Sequence, residues 1–132
     1  MEKFSVVTAK RVELIDITQH VQHAVLKAKI KDGICCVFCP HTTAGLTINE
    51  NADKCVKADI IKALESLVPA NGDYLHSEGN SDSHIKSSLF GSSLTVIIDS
   101  GRLSLGTWQG IYFSEFDGPR SREVWVKVIS ST

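Results

Sequence analysis

Neither sign of charge is in surplus along the 132 residues: 14 Lys and Arg stand against 15 Asp and Glu, a net charge of -1. Without a positive field the chain has no general hold on a phosphate backbone, which excludes a broad nucleic-acid binder and leaves room only for a local anion site. No apolar run approaches the roughly 18 residues of a membrane span, and the stretch from Met1 to Thr8 lacks the apolar centre of a signal peptide. A cytoplasmic protein with no membrane and no nucleic-acid partner is therefore expected. Internal repeats and low-complexity tracts are also missing. What is present is a 42% hydrophobic content, enough at this length for one core without disulfides or a structural metal. The expectation is a single domain over residues 1–132.

Four cysteines in a chain of this kind read as reduced thiols. Cys36 and Cys39 spell C-x-x-C, but inside an apolar run that reads as a strand, where side chains three apart face opposite ways. They are read as small core hydrophobes rather than a chelating pair, and Cys55, alone on a helical pattern, is read the same way.

Alternation of β-branched and polar residues predicts strands over 4–9 and 12–17. Ile17, Val21, Ala24, Val25 and Ala28 recur at helical spacing behind a cap at Asp16 or Thr18, and predict a first helix. The cysteine strand follows, then a strand over 46–49. A second helix capped by Asn51 or Asp53 should bury Val56, Ile60, Leu64, Leu67 and Val68 before Pro69 closes it. Residues 69–82 form a long polar loop, and loops of that length in a small domain are usually functional. A short helix from Ser81 or Asp82 should bury Ile85 and Leu89 before Gly91. Strands over 94–98, 111–116 and 122–129, with a strand or loop over 103–108, complete the chain. Helices and strands alternate without βαβ regularity, which predicts an α+β fold with a largely antiparallel sheet.

Five histidines are present. His20 and His23 lie on the polar face of the first helix and read as solvated. His41, His76 and His84 each sit in a polar segment beside a regular element. Three imidazoles with an open fourth position are the pattern of a catalytic zinc site, and Glu50, Glu78 and Asp82 could orient them. No two of the three form a close chelate pair, so spacing alone leaves two readings open: metal ligands, or surface and hydrogen-bonded loop histidines. Arg120, Thr42, Thr43, Thr107 and Gln109 offer donors to an anion, and the first turn of the short helix adds free N–H groups around His84. Trp108 is either a stacking face or core.

The segments His41-Thr-Thr-Ala-Gly-Leu-Thr-Ile-Asn-Glu-Asn51 and His76-Ser-Glu-Gly-Asn-Ser-Asp-Ser-His84, with Gly106-Thr-Trp-Gln109 leading to Glu115-Phe-Asp-Gly-Pro-Arg120, resemble the YjbQ-like family. The run from Ser93 through Val96, Ile98, Gly101 and Gly106 to Ile111 matches that family's signature. Lys54 and Cys55 depart from the residues common in relatives after Asp53.

The resemblance implies an antiparallel β-sandwich with two main helices and one short helix, assembled as a homotrimer around a three-histidine pocket. It further implies a metal-dependent enzyme of small phosphorylated metabolites, with a secondary thiamine-phosphate synthase activity that joins a thiazole phosphate to a pyrimidine diphosphate. In that reading His41, His76 and His84 hold a divalent metal, zinc first and magnesium or manganese as substitutes. Glu50 and Asp82 act as acid and base, and Thr43, Asn80, Thr107, Trp108, Gln109 and Arg120 bind substrate. The competing expectation is a non-catalytic trimer that binds a small anionic or phosphorylated metabolite.

Overall fold

The computed structural model describes residues 1–131. Its strands form two sheets, and every strand pairing among the described residues is antiparallel. The larger sheet contains β1 (Glu2–Val7), β3 (Gly33–Phe38), β5 (Ser93–Asp99), β6 (Arg102–Leu103) and β8 (Ser121–Ser130), in the order β1-β8-β3-β5-β6. The smaller sheet is β2 (Glu13–Asp16), β7 (Gln109–Glu115) and β4 (Ala44–Glu50), in the order β2-β7-β4. Three helices complete the mixed α+β fold: α1 (Thr18–Ala28), α2 (Lys54–Leu67) and α3 (Ser81–Phe90).

Period-two patterning explains the larger sheet. Cys35 and Val37 of β3, Val96 and Ile98 of β5, and Val124 and Val126 of β8 alternate inward and are buried. They meet Leu46, Ile111 and Phe113 from the smaller sheet and Val21, Ala24 and Val25 of α1, so one core is shared by both sheets and the first helix. Each fully buried Val, Leu, Ile or Phe contributes about 1.5–3 kcal/mol relative to exposure. The α1 residues follow i, i+3, i+4 spacing, as the sequence predicts, and Asp16 accepts hydrogen bonds from the Thr18 amide and hydroxyl at its start. Asp53 caps α2 by accepting from the Cys55 amide.

Three expectations are corrected. Helix α3 is inverted: Ile85 and Leu89, predicted to be buried, are 39% and 60% exposed, whereas Asp82, Ser83, Lys86 and Ser87 form its buried face. The reason is close approach to the ends of the smaller sheet, where Ser83 donates to the Phe116 carbonyl and Ser87 to the Ala44 carbonyl. Small hydroxyl side chains reach those carbonyls, and a leucine there would leave them without donors. Gly45 permits the contact, since a Cβ there would stand 2.9 Å from the Gly91 oxygen. Helix α2 buries only Leu64 within its length, followed by Val68, and its Leu67 is exposed. Cys55, expected in the core, is exposed in the first turn of α2. Cys35 and Cys39 are buried, and burial pushes both thiols up to about 11.

Candidate functional site

The candidate side chains hang from the connections between elements at one end of the smaller sheet. His41 sits between β3 and β4, His76 and Glu78 in the loop before α3, Asn80 immediately before that helix, and His84 in its first turn. The β7–β8 turn brings Arg120, and β8 itself contributes Arg122. That turn packs tightly on the β1–β2 connection: the Gly118 amide donates to the Arg11 carbonyl, and a Cβ at Gly118 would meet the Lys10 oxygen at 2.2 Å. Together with Thr42 and Thr43 these residues line one open cleft of about 430 Å³, within the size range of small-metabolite sites.

Beneath the cleft lies a buried ion pair. Arg122, 5% exposed, donates through Nε to Glu115 Oε1 at 2.8 Å and through Nη2 to Oε2. The same Nη2 reaches Thr43 Oγ1 at 2.8 Å. Glu115, wholly buried, also accepts from the Thr8 hydroxyl at 2.8 Å and from the Asp117 amide at 3.1 Å. Burial alone would raise this carboxyl, but the hydrogen bonds from Arg122, the Asp117 amide and Thr8 outweigh it and hold Glu115 below its ordinary range. Arg120, half-exposed, pairs with Asp117 Oδ2 at 3.0 Å and donates to the Asp117 carbonyl at 2.9 Å.

The three predicted histidines therefore share one cleft, but not one coordination sphere. The His76 and His84 rings are 5.4 Å apart between centroids and nearly perpendicular, and His76 Nε2 lies 3.7 Å from Glu78 Oε2. His41 is engaged elsewhere: its Nε2 accepts the Glu123 backbone N–H at 2.9 Å. A neutral imidazole that accepts at Nε2 carries its proton on Nδ1, so neither nitrogen is free to ligate a metal. Burial and the nearby Arg122 guanidinium hold His41 below its ordinary value, in keeping with the neutral form. Among the described residues no three His, Cys, Asp or Glu side chains are grouped to hold a metal ion. The three-imidazole donor set does not fit a metal in this arrangement.

Other predicted site residues lie elsewhere. Asp82 is wholly buried and accepts from both Arg11 Nη atoms, at 3.1 and 2.9 Å, and from Lys86 Nζ at 3.0 Å. Burial would raise it, and the Arg11 and Lys86 hydrogen bonds hold it below its ordinary range. It ties α3 to the β1–β2 connection rather than facing the cleft. Glu50 stands opposite Gln109 in the strand register, whereas the cleft end of β4 is Ala44 opposite Glu115. Six residues of strand separate them, about 20 Å at ~3.3 Å per residue. Thr107, Trp108 and Gln109 gather at that far end, where Gln109 Oε1 accepts the Gly106 amide and the Trp108 carbonyl accepts the Asn51 amide. Trp108 is 62% exposed, so it is not core.

Sequence reasoning passed over Arg122. Its parity with Val124, Val126 and Val128 places it on the inward face of the last strand, and an arginine in that phase implies a buried acid.

A family model described as UPF0047 protein YjbQ-like matches residues 2–131. A UPF0047 protein of Methanocaldococcus jannaschii is 58% identical, over 96% of this chain and 92% of its own length. The UPF0047 protein YugU of Bacillus subtilis is 47% identical, over 98% of both chains. Among solved structures, a YjbQ/UPF0047-family protein of Clostridium acetobutylicum superposes with a TM-score of 0.96 at 56% identity, covering 98% of this chain and 100% of that one.

Proposed function

The chain belongs to the YjbQ-like UPF0047 family, and from that premise we propose that its cleft is the active site of an enzyme acting on a small phosphorylated metabolite. The observation that carries this reading is convergence: His41, His76 and His84 come from three separate segments to one cleft with two threonines, Asn80 and two arginines. Imidazoles are the side chains best suited to proton transfer near neutral pH. Thr42 and the exposed guanidinium of Arg120 are donors of the kind that suit phosphate oxygens, which supports this reading. The specific reaction proposed is thiamine-phosphate synthesis, in which a C–N bond forms between thiazole and pyrimidine while the C–O bond to diphosphate breaks. The departing diphosphate is then stabilised by the same donors.

A divalent metal, zinc before magnesium or manganese, enters this proposal at His76 and His84, with His41 outside the ligand set. A homotrimer is also part of it, because Leu67, Leu75, Ile85 and Leu89 are large apolar side chains left exposed on the single chain, which a cyclic assembly would cover. The non-catalytic alternative, a trimer that binds the same class of ligand, is favoured by one observation: Glu50 and Asp82 supply no acid or base to the cleft.

Diphosphate release by wild type supplied with the two substrates and zinc, magnesium or manganese separates these readings. The enzyme reading expects turnover that falls by about 100-fold or more in His84→Ala, which removes a metal ligand from the cleft. Binding of both substrates without release would establish the non-catalytic reading instead. Metal analysis of the same samples should show loss in His76→Ala and His84→Ala but not in His41→Ala; equal loss in all three would return His41 to the ligand set. Light scattering that gives a monomer at micromolar concentration would remove the trimer.

A further inference from the structure

His41 is a cleft histidine whose proton can be placed by geometry. Its Nε2 lies 2.9 Å from the Glu123 main-chain nitrogen. A peptide N–H only donates, so Nε2 must present its lone pair, and a neutral imidazole in that position carries its proton on Nδ1. Turning the ring over would set a carbon against the amide, which fixes the orientation as well. That amide is the hydrogen-bond partner of the ring among the described residues. The surroundings favour the same form. Burial and the Arg122 guanidinium work against a charged ring and prevail over the pull of Glu115 and Glu123.

The position of the ring gives this proton a use. His41 is half-buried, and with Thr42 and His84 it borders both the cleft of about 430 Å³ and an adjoining hollow of about 420 Å³. Strand β8 covers Nε2, so Nδ1–H is the polar group that the ring has left for a ligand in either space. A neutral imidazole N–H gives up its proton far less readily than an imidazolium, yet it donates a hydrogen bond wherever the ring is uncharged. We infer that His41, held by the Glu123 amide, is a binding residue that donates its Nδ1–H as a fixed hydrogen bond to a phosphate oxygen of the ligand, and that it neither transfers a proton nor ligates a metal. This inference rests on the anion reading of the cleft and deepens it, by giving His41 a task apart from that of His76 and His84. Glu123 acts as the positioning residue through its main chain.

The test is nitrogen–proton NMR of the His41 ring at neutral pH while inorganic phosphate is added, joined to calorimetric titration of His41→Asn and His41→Gln with the same anion. An asparagine amide nitrogen falls where Nδ1 stands, and a glutamine one where Nε2 stands. Wild type should show a protonated Nδ1 and a bare Nε2 before phosphate is added, and the Nδ1 signal should then move along the binding curve. His41→Asn should bind phosphate about tenfold more tightly than His41→Gln, the scale of one hydrogen bond to a charged acceptor. A proton on Nε2 overturns the inference, as does equal binding by the two variants. If the variants do not fold, the wild-type spectra decide by themselves. Should phosphate not bind wild type at all, the anion reading falls and takes this inference with it, whereas bound phosphate that leaves the Nδ1 signal unmoved sinks the inference alone.

Discussion

Glu115→Ala should lower folding stability by about 3–5 kcal/mol, the scale for removing one partner of a buried ion pair. Glu115 and Arg122 are 0% and 5% exposed, so the substitution strands a guanidinium that is almost wholly out of water. Thr8 and the Asp117 amide lose their acceptor at the same time. The pair is not itself a large net stabiliser, because removing two charges from water offsets most of their attraction. The double replacement Glu115→Leu with Arg122→Met should therefore recover most of the loss. Urea unfolding of the single and double variants checks this, and a loss below about 1 kcal/mol in Glu115→Ala would show that the pair is solvated. The double variant should nonetheless disturb the cleft, because Arg122 is what holds Thr43 in place from below.

Acid should unfold the protein through Glu115 and its counterpart Asp82. Both carboxyls are held below their ordinary values of 4.5 and 3.8 in the folded chain. A group of this kind adds stability above its unfolded pKa and loses it as the pH falls through the folded one. The urea midpoint should accordingly be level from neutral pH to about 5 and fall steeply below about 4. Asp82→Asn tests the second carboxyl. It leaves Lys86, 1% exposed, and Arg11 around a neutral amide. Stability at neutral pH should drop by about 3–5 kcal/mol, and the acid limb should become shallower because one of the two titrating groups is gone. An acid limb of unchanged steepness would mean that Asp82 does not stay ionised to low pH in the fold.

The parts of this structure that were legible in the sequence are those governed by apolar burial alone. The inward alternation of β8 and the i, i+3, i+4 pattern of α1 were readable because each faces the shared core on one side. Helix α3 was misread for the same reason in reverse. Its buried side answers to carbonyl groups at sheet ends and to Arg11, partners that lie 33, 43 and 71 residues away in the chain, so hydrophobic periodicity points to the wrong face. The candidate site was half legible. Polar segments flanking regular elements marked His41, His76 and His84, and strand direction carries all three to one end. The same direction sends Glu50, Thr107, Trp108 and Gln109 to the other end of β4 and β7, a separation that residue type cannot reveal. Asp82 looked like chemistry because it is an acid between two histidine positions, whereas helix geometry turns it inward to Lys86 one turn later.

The proposed anion site, at the cleft where three histidines meet, is open to direct observation by nitrogen–proton NMR of the imidazoles during titration with inorganic phosphate. His41, His76 and His84 should shift together along one saturating curve, while His20 and His23, on the exposed face of α1, stay where they are. Shifts confined to His20 and His23, or no saturating change at any of the three cleft histidines, would contradict the assignment of this cleft as the functional site.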